Sequence, residues 1–427
     1  MTNTRSLSDP GDKGANTAAW RALAVIASAT LLSMSVWFSA SFVGVQLQAH
    51  WQLSAWQTSM LTIAVQLGFV LGALGTATTG LADAWSPHRL MAVGACAAAV
   101  TNLGLLWAPG PFSAMLLRLA TGALLALVYP LALKQVSSWF RRGRGTALGL
   151  MIGALTIGSA LPHLVNALGG LDWRVVIGCT SALAGAGGAL AACSRSGPYP
   201  FPSSVFRPGT AWSSTRRRPV LLANIGYAGH MWELYAMWAW IGAFVAALPA
   251  LAGREDRHLI AAMVAFASIA VGAVGCLAGG LISDRWGRAQ AAGLCLLCSG
   301  TAAVAVGLLH SAPLGVVVTV CLFWGFWVIA DSAQFSALVT EHADPALVGS
   351  ALSLQLASGY LTTTLTLWLV PTLADAVNWT AAMALLAVGP VIGLAAMITL
   401  ARSGETPPTS PVNPRLTASA SQVRGMS

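Results

Sequence analysis

Charged side chains are scarce in this chain. Asp, Glu, Lys and Arg make up only 8% of its 427 residues, whereas 56% are hydrophobic, and an ordinary soluble domain carries roughly a quarter charged residues. So few charges cannot cover a protein of this size with polar surface. The composition therefore excludes a soluble globular protein and predicts a chain whose solvent is partly lipid.

Several catalytic and binding motifs are also missing. The sequence has no GxxxxGK[ST], and therefore no nucleotide site of that type, and it has neither HExxH nor GxSxG. Its seven cysteines lie within or at the ends of apolar runs, and the pair Cys295 and Cys298 has no second pair to complete a metal site. We therefore expect no enzymatic activity, no metal and no other cofactor.

Long apolar runs dominate what is present. A bilayer core of about 30 Å requires about 20 apolar residues per helix, and the mean hydropathy of the chain is +0.72. Turn signals separate the runs, so the fold class expected is an all-α membrane protein with twelve transmembrane helices. The predicted spans are 20–42, 57–82, 90–107, 111–136, 146–168, 175–192, 220–251, 259–282, 289–309, 314–340, 349–370 and 380–401.

The basic residues predict an orientation. If both termini are cytoplasmic, seventeen of the 22 lysines and arginines lie on the cytoplasmic side, as the positive-inside rule requires. The same rule explains the net charge of +9 and the run of three arginines at 216–218, so no nucleic-acid partner is expected. We expect a multi-pass protein of the bacterial cytoplasmic (inner) membrane, with the lipid bilayer as a partner.

The second half of the chain repeats the first at an offset of about 203 residues. Asp83 matches Asp284, Gly122 matches Gly325, and RGTALGLM at 144–151 matches VGSALSLQ at 348–355. Glycines at helical spacing, among them Gly68, Gly72 and Gly75 and their counterparts, predict close helix crossings. The predicted organisation is a leader (1–19), a six-helix bundle (20–193), a cytoplasmic linker (194–219), a second six-helix bundle (220–402) and a disordered cytoplasmic tail (403–427).

One loop carries a specific resemblance. Residues 280–288, GLISDRWGR, match the pattern Gly-x-x-x-Asp-Arg-x-Gly-Arg at the junction of spans 8 and 9. This resembles the loop signature of the major facilitator superfamily of secondary transporters, and the resemblance extends over about residues 20–401. It implies the superfamily fold of two pseudo-symmetric bundles. The corresponding stretch of the first half, TGLADAWSPHR at 79–89, keeps only Asp83 of the signature, which argues against a symmetrical arrangement there.

The signature loop predicts a gate. A carboxylate and a guanidinium at adjacent helix ends can pair in one packing of the bundles and separate in the other. The predicted gating residues are Asp83, Gly280, Asp284, Arg285, Gly287 and Arg288.

Few ionisable groups remain at membrane depth, and each is expensive to insert, at about 2.5–3.5 kcal/mol for a charge at a helix centre. The resemblance implies that spans 1, 4, 7 and 10 line a central cavity. We therefore predict that Glu233 faces this cavity and exchanges a proton as access alternates. Glu233 paired with Arg118 in a structural role is the alternative, and Lys134 is expected to snorkel. The predicted proton-coupling and substrate residues are Glu233, Arg118, Asp331, Trp37, Tyr235, Trp240 and Trp324.

The function expected is secondary active transport of a small organic solute by alternating access, with proton-coupled uptake or exchange. The partners are then a small-molecule substrate and protons. Drug/proton antiport is the main alternative, and a channel or a non-transporting membrane sensor is a lesser one. Arg118 is expected either to bind an anionic group of the substrate or to hold Glu233, and Asp331 either to couple protons or to serve as a carboxylate at the mouth of the pore.

Overall fold

The computed structural model describes residues 10–167, 172–202 and 215–403. Within these ranges the chain is helical and contains no β-strand, as expected for an all-α protein. Three short 3₁₀ helices, Gly104–Trp107, Pro249–Leu251 and Pro345–Leu347, accompany the α-helices. The α-helices, numbered in chain order, are α1 Pro10–Trp51, α2 Ala55–Thr78, α3 Leu81–Ala84, α4 Pro87–Leu103, α5 Pro111–Leu125, α6 Tyr129–Ser137, α7 Arg144–Ala167, α8 Trp173–Cys193, α9 Arg218–Ala246, α10 Arg257–Trp286, α11 Arg288–Leu308, α12 Leu314–Val328, α13 Ser332–His342, α14 Val348–Ala376, α15 Trp379–Leu386 and α16 Val388–Ser403.

These helices account for the apolar runs of the sequence. Nine helical segments in the described ranges are long and apolar enough to cross a membrane. Helices α9 and α14 are each 29 residues long, which suffices at about 1.5 Å per residue, but they are not among the nine. The number of twelve spans therefore stays a prediction.

The predicted leader, linker and tail lie only partly within the described residues. Helix α1 begins at Pro10, inside the predicted leader, so the helical region starts earlier than the apolar run at residue 20. Residues 1–9, 168–171, 203–214 and 404–427 lie outside the described part. The predicted tail lies there except for Ser403, as does about half of the predicted linker.

Two of the predicted spans are interrupted at equivalent places. Span 4 consists of α5 and α6 with a break at 126–128, and span 10 consists of α12 and α13 with a break at 329–331, which is the same repeat offset of about 203. Pro130 lies in the first turn of α6, and a proline has no backbone N–H and clashes with the carbonyl four residues earlier. In the second break, Asp331 occupies the N-cap position of α13.

Glycines bring helices into close contact within each half of the chain, where α1–α8 are the first half and α9–α16 the second. Gly68 and Gly72 on α2 face the backbone of α5. On α10, Gly275 faces the backbone of α12, and Gly279 faces the backbone of the break that follows α12. A side chain at these positions would overlap backbone atoms, so the predicted close crossings are confirmed. Gly75 is the exception, because its free face meets open space.

The two halves meet along two long helix pairs. Helix α7 packs against α10, and α2 packs against α14. The short helices α6 and α13 also contact the opposite half, α6 through α14 and α13 through α7. Both belong to the arginine-rich end of their spans, so the halves are held together at that end, which we call the latch face.

We expect Gly122→Ala to destabilise the fold by about 1–3 kcal/mol, as over-packing of a tight contact does. The new methyl group would overlap the Val65 carbonyl and approach the Phe69 backbone nitrogen. Thermal unfolding of the purified protein in detergent measures the change as a lower Tm. Gly75→Ala is the matched control and should leave Tm unchanged or raise it slightly, since alanine is the better helix former. Equal Tm values for the two variants would contradict the close packing of α2 on α5.

Candidate functional site

A small cavity lies between the two halves. Its volume is about 50 Å³, which is room for only a few water molecules. Residues of α1, α6, α7, α9 and α14 line it, together with Ile329 and Ser332 at the break between α12 and α13. Tyr129 follows the equivalent break of the first half. In both halves, the first helical residue after the break, Tyr129 or Ser332, therefore lies in the cavity wall.

Tyrosines dominate the cavity wall. The chain has five tyrosines, and four of them, Tyr129, Tyr227, Tyr235 and Tyr360, line the cavity. The hydroxyls of Tyr235 and Tyr360 are hydrogen-bonded to each other at 2.9 Å. Tyr360 also packs on two aromatic rings of the first half. The sequence analysis named only Tyr235, but the scarcity of tyrosine and the position of Tyr129 beside Pro130 were available signals.

The predicted residue Arg118 does not reach this cavity. Its side chain is buried in the first half, where Nη1 donates to the Val36 carbonyl at 2.7 Å and Nη2 donates to the Trp37 carbonyl at 2.8 Å. Nη1 also donates to the Ser39 hydroxyl at 3.0 Å, and Nε donates to the Leu61 carbonyl at 3.3 Å. These partners are neutral. In this conformation Arg118 therefore joins α1, α2 and α5, and it is bound neither to Glu233 nor in a position to meet a substrate.

Glu233 is buried inside the second half and does not line the cavity. Ser299 on α11 donates to Oε2 at 2.8 Å, and the indole N–H of Trp324 on α12 donates to Oε1 at 2.7 Å. The carboxyl group is 1% exposed, and it lies fifteen residues into α9, about 22 Å along the helix. The depth of Glu233 in the membrane stays a prediction, whereas the predicted orientation towards the cavity is not observed.

Asp331 lies beside a histidine in the same half. Its Oδ1 is 2.8 Å from Nδ1 of His230, and both side chains are at most 2% exposed. Nε2 of His230 is buried without a hydrogen-bond partner, which is rare for a polar atom in a protein interior. His230 and Glu233 are three residues apart on α9, so two carboxyl groups and one imidazole lie close together behind the cavity wall.

The predicted tryptophans lie around the cavity without lining it. Trp37 packs on Phe69 and Tyr360 with ring centroids 5.5 and 5.0 Å away. Trp240 donates its indole N–H to the Leu367 carbonyl at 3.2 Å, and Trp324 binds Glu233. Trp238, which the sequence analysis did not select, is the tryptophan on the wall. Sequence spacing on one helix leaves the rotation of that helix undetermined, and the rotation decides which ring faces inward.

The signature loop forms a contact between the halves on the latch face. Asp284 at the end of α10 accepts hydrogen bonds from the backbone N–H groups of Gly145 and Thr146, at 3.2 and 2.9 Å, and from the Thr146 hydroxyl at 2.6 Å. These donors form the first turn of α7, where amides lack helical partners and the helix dipole is positive. Arg288 pairs with Asp284 at 2.5 Å.

Three of the other predicted gating residues, Gly280, Gly287 and Arg288, contribute to this contact or to the turn beside it. Gly280 lets the α7 backbone approach, because a side chain there would meet the Gly145 carbonyl. Gly287 has φ of +103° and joins α10 to α11 within one residue, a conformation that glycine adopts readily. Arg288 also pairs with Glu341 at 3.2 Å. Arg285 is exposed and takes no part in these contacts.

The first half forms the equivalent contact, although its loop lacks most of the signature. Asp83 accepts hydrogen bonds from the backbone N–H groups of Gly349 and Ser350 at 2.7 and 2.9 Å, at the start of α14. Lys134 is its cation, with Nζ 2.6 Å from Oδ1. The expectation of an asymmetric gate was therefore wrong, and so was the snorkelling of Lys134. A buried lysine from α6 replaces the arginine of the signature, and a pattern confined to the loop could not reveal it.

The two contacts also explain a match in the internal repeat. Gly145 and Thr146 occupy the positions that Gly349 and Ser350 occupy in the second half. Each pair therefore binds the carboxylate of the opposite half. We call the two contacts the latches. Within the described residues no group of three His, Cys, Asp or Glu side chains is placed to hold a metal ion.

Comparison with known proteins places these features in a family. A model of the Major Facilitator Superfamily matches residues 25–354. Among solved structures, the chain is similar to the MFS proton:xylose symporter XylE bound to 6-bromo-6-deoxy-D-glucose, with a TM-score of 0.72 and 13% sequence identity over 90% of this chain and 96% of that chain. At this identity the likeness concerns the fold alone, and it confirms the all-α membrane fold of the superfamily, whereas the number of twelve spans stays a prediction. No curated protein matches.

We expect Asp284→Asn to open the latch face. The variant loses a charge-assisted set of hydrogen bonds, and bonds to a charged group are worth about 1.5–3 kcal/mol, so the open population should rise tenfold or more. Spin labels at the exposed positions Arg142 and Gln290, in a background without exposed cysteines, report the distance between the halves by pulsed electron resonance. Asp256→Asn is the control, because Asp256 pairs with Arg254 in an exposed loop. Identical distance distributions in both variants and the parent would contradict a latch.

Proposed function

This chain belongs to the Major Facilitator Superfamily of membrane transporters, and we propose that it carries a small organic solute across the membrane by alternating access, coupled to protons. The observation that carries the coupling is the pair of carboxyl groups, Glu233 and Asp331, buried in the second half with neutral partners and one histidine.

The two latches support alternating access. Each consists of a carboxylate from one half on the helix N-terminus of the other, together with a cation. Such contacts depend on the relative position of the two halves, because the amides of a helix end have a fixed direction and the carboxylate belongs to the opposite half. In this proposal, closed latches keep the cavity shut from the latch face, and opening them would expose it there. We place the latch face in the cytoplasm because most lysines and arginines lie at that end.

The lack of lysine or arginine partners for the two buried carboxyl groups supports proton coupling. Two ionised carboxylates in the membrane interior, without lysine or arginine among their partners, would carry two unbalanced charges, and each costs about 2.5–3.5 kcal/mol on insertion scales. Resident protons remove this cost. His230 can share a proton with Asp331. Glu233 accepts hydrogen bonds from a hydroxyl and an indole, which are neutral groups and do not balance the charge of an ionised carboxylate. The cluster would thus gain and lose protons when the surrounding helices move and admit water.

Symport and antiport both fit this cluster. Proton-coupled uptake or exchange is our first assignment, and drug/proton antiport is the second, favoured by the aromatic cavity wall, which suits amphipathic solutes. The structural neighbour is named a proton:xylose symporter. Because the two chains share only 13% sequence identity, the choice between symport and antiport for this chain requires an experiment. The direction of proton movement during solute transport distinguishes the two.

We expect Glu233→Gln to abolish solute-driven proton movement. The amide keeps the size of the side chain but cannot take up and release a proton. The measurement is the internal pH of proteoliposomes that hold the purified protein, with pooled organic acids, amines, sugars and cationic dyes applied outside. The parent protein should show solute-dependent pH changes, inward or outward according to symport or antiport.

Two further variants make the result specific. Glu255→Gln changes a carboxyl in an exposed loop and should behave as the parent. Asp331→Asn tests the second carboxyl, and loss of coupling in both buried variants would assign the coupling to the whole cluster. Solute movement with unchanged proton coupling in Glu233→Gln would return this residue to a structural role.

A further inference from the structure

The composition of the cavity wall is unusual for this chain. Tryptophan outnumbers tyrosine, 17 to 5, yet the wall has Trp238 and four of the five tyrosines. The fifth, Tyr199, lies far from it in the linker, under the Arg141 guanidinium at 4.3 Å. A tyrosine differs from the other aromatic residues of a membrane interior in offering a ring face and a hydroxyl that both donates and accepts.

Charged groups are kept off this wall. No Asp, Glu, Lys, Arg or His is among its described residues. Arg118 is engaged by carbonyls of the first half, and Glu233 points towards α11 and α12. His230 and Asp331 contact each other. A charged solute would therefore lose its hydration without gaining a counter-charge, at a cost of several kcal/mol per ion.

The wall also offers particular hydrogen-bonding groups. Thr156 and Ser159 donate their hydroxyls to carbonyls of their own helix, so they retain only acceptor capacity. Tyr235 and Tyr360 bond to each other, and a bond between two hydroxyls uses one hydrogen and leaves the other available. A solute with a hydroxyl or carbonyl edge could replace this mutual bond at little cost.

We propose that the transported solute is uncharged when bound and combines a ring with a hydroxyl or carbonyl group, and that Tyr235 and Tyr360 part to bind that group. The inference rests on the proposed function, because it takes the cavity as the solute site. At about 50 Å³ the cavity is too small for such a solute, so binding has to widen it. Tyr360 packs on Trp37 and Phe69 of the first half, with centroids 5.0 and 4.7 Å away. Its displacement would loosen the contact between α2 and α14, which links binding to movement of the halves.

The test compares ligands that share one ring and differ in the end group and its charge. Isothermal titration calorimetry of the purified full-length protein at pH 7 would measure 4-hydroxybenzyl alcohol, 4-hydroxybenzoate and 4-hydroxybenzylamine, which place a neutral, an anionic and a cationic group on one ring. The same three end groups on an indole ring form a second set. We expect the neutral member of at least one set to bind at least tenfold more tightly than its charged partners. Tighter binding of a charged member, or no binding by either neutral member, would overturn the proposal.

Tyrosine variants assign the residues. Tyr235→Phe and Tyr360→Phe should each weaken binding of the neutral probe by about 2- to 10-fold, as expected for one hydrogen bond, whereas Tyr199→Phe should bind as the parent does. Melting temperatures near that of the parent would show that the variants are folded. Equal affinity in all three variants would remove Tyr235 and Tyr360 from the site. The measurement needs no proton gradient, so it can fail while proton coupling holds, and proton coupling can fail while it succeeds.

Discussion

A carboxylate on the first amides of a helix is the interaction on which this structure depends. Asp284 binds the start of α7, and Asp83 binds the start of α14. The N-terminus of a helix has unsatisfied N–H groups and a positive dipole end, and it therefore accepts an anion wherever one can be brought near. Because each carboxylate and each helix belong to different halves, this local interaction sets the relation between the halves.

The cations of the two latches differ in a way that suits their surroundings. Arg288 is partly exposed and reaches both Asp284 and Glu341, as a planar guanidinium with several donors can. Lys134 is buried, donates to the Ala82 carbonyl as well as to Asp83, and pairs with no second carboxylate among the described residues. The two halves thus reach the same geometry with different residues. The buried latch has the higher cost of losing a partner, because removal of one partner leaves the other charge in the interior.

Polar groups inside the membrane are divided between the halves. The first half holds Arg118 on backbone carbonyls, and the second half holds the carboxyl groups with a histidine. Neither set faces the cavity between them, and the tyrosines there provide hydrogen bonds without charge. Under the proposed function, this division would separate two tasks that a single charged site would combine, namely holding protons and selecting a solute. It also explains why depth in the membrane was a good guide to burial and a poor guide to orientation.

Composition, periodicity and the internal repeat were sufficient for much of this protein. They determined the all-α membrane class, the helix positions and the loop around Asp284, because hydrophobic length and charge placement are local properties of the chain. Tertiary structure alone decided that Lys134 pairs with Asp83, that Glu233 faces Trp324 instead of the cavity, and that four tyrosines converge. Each of these depends on the rotation of a helix about its axis and on its neighbours, which come from distant parts of the sequence.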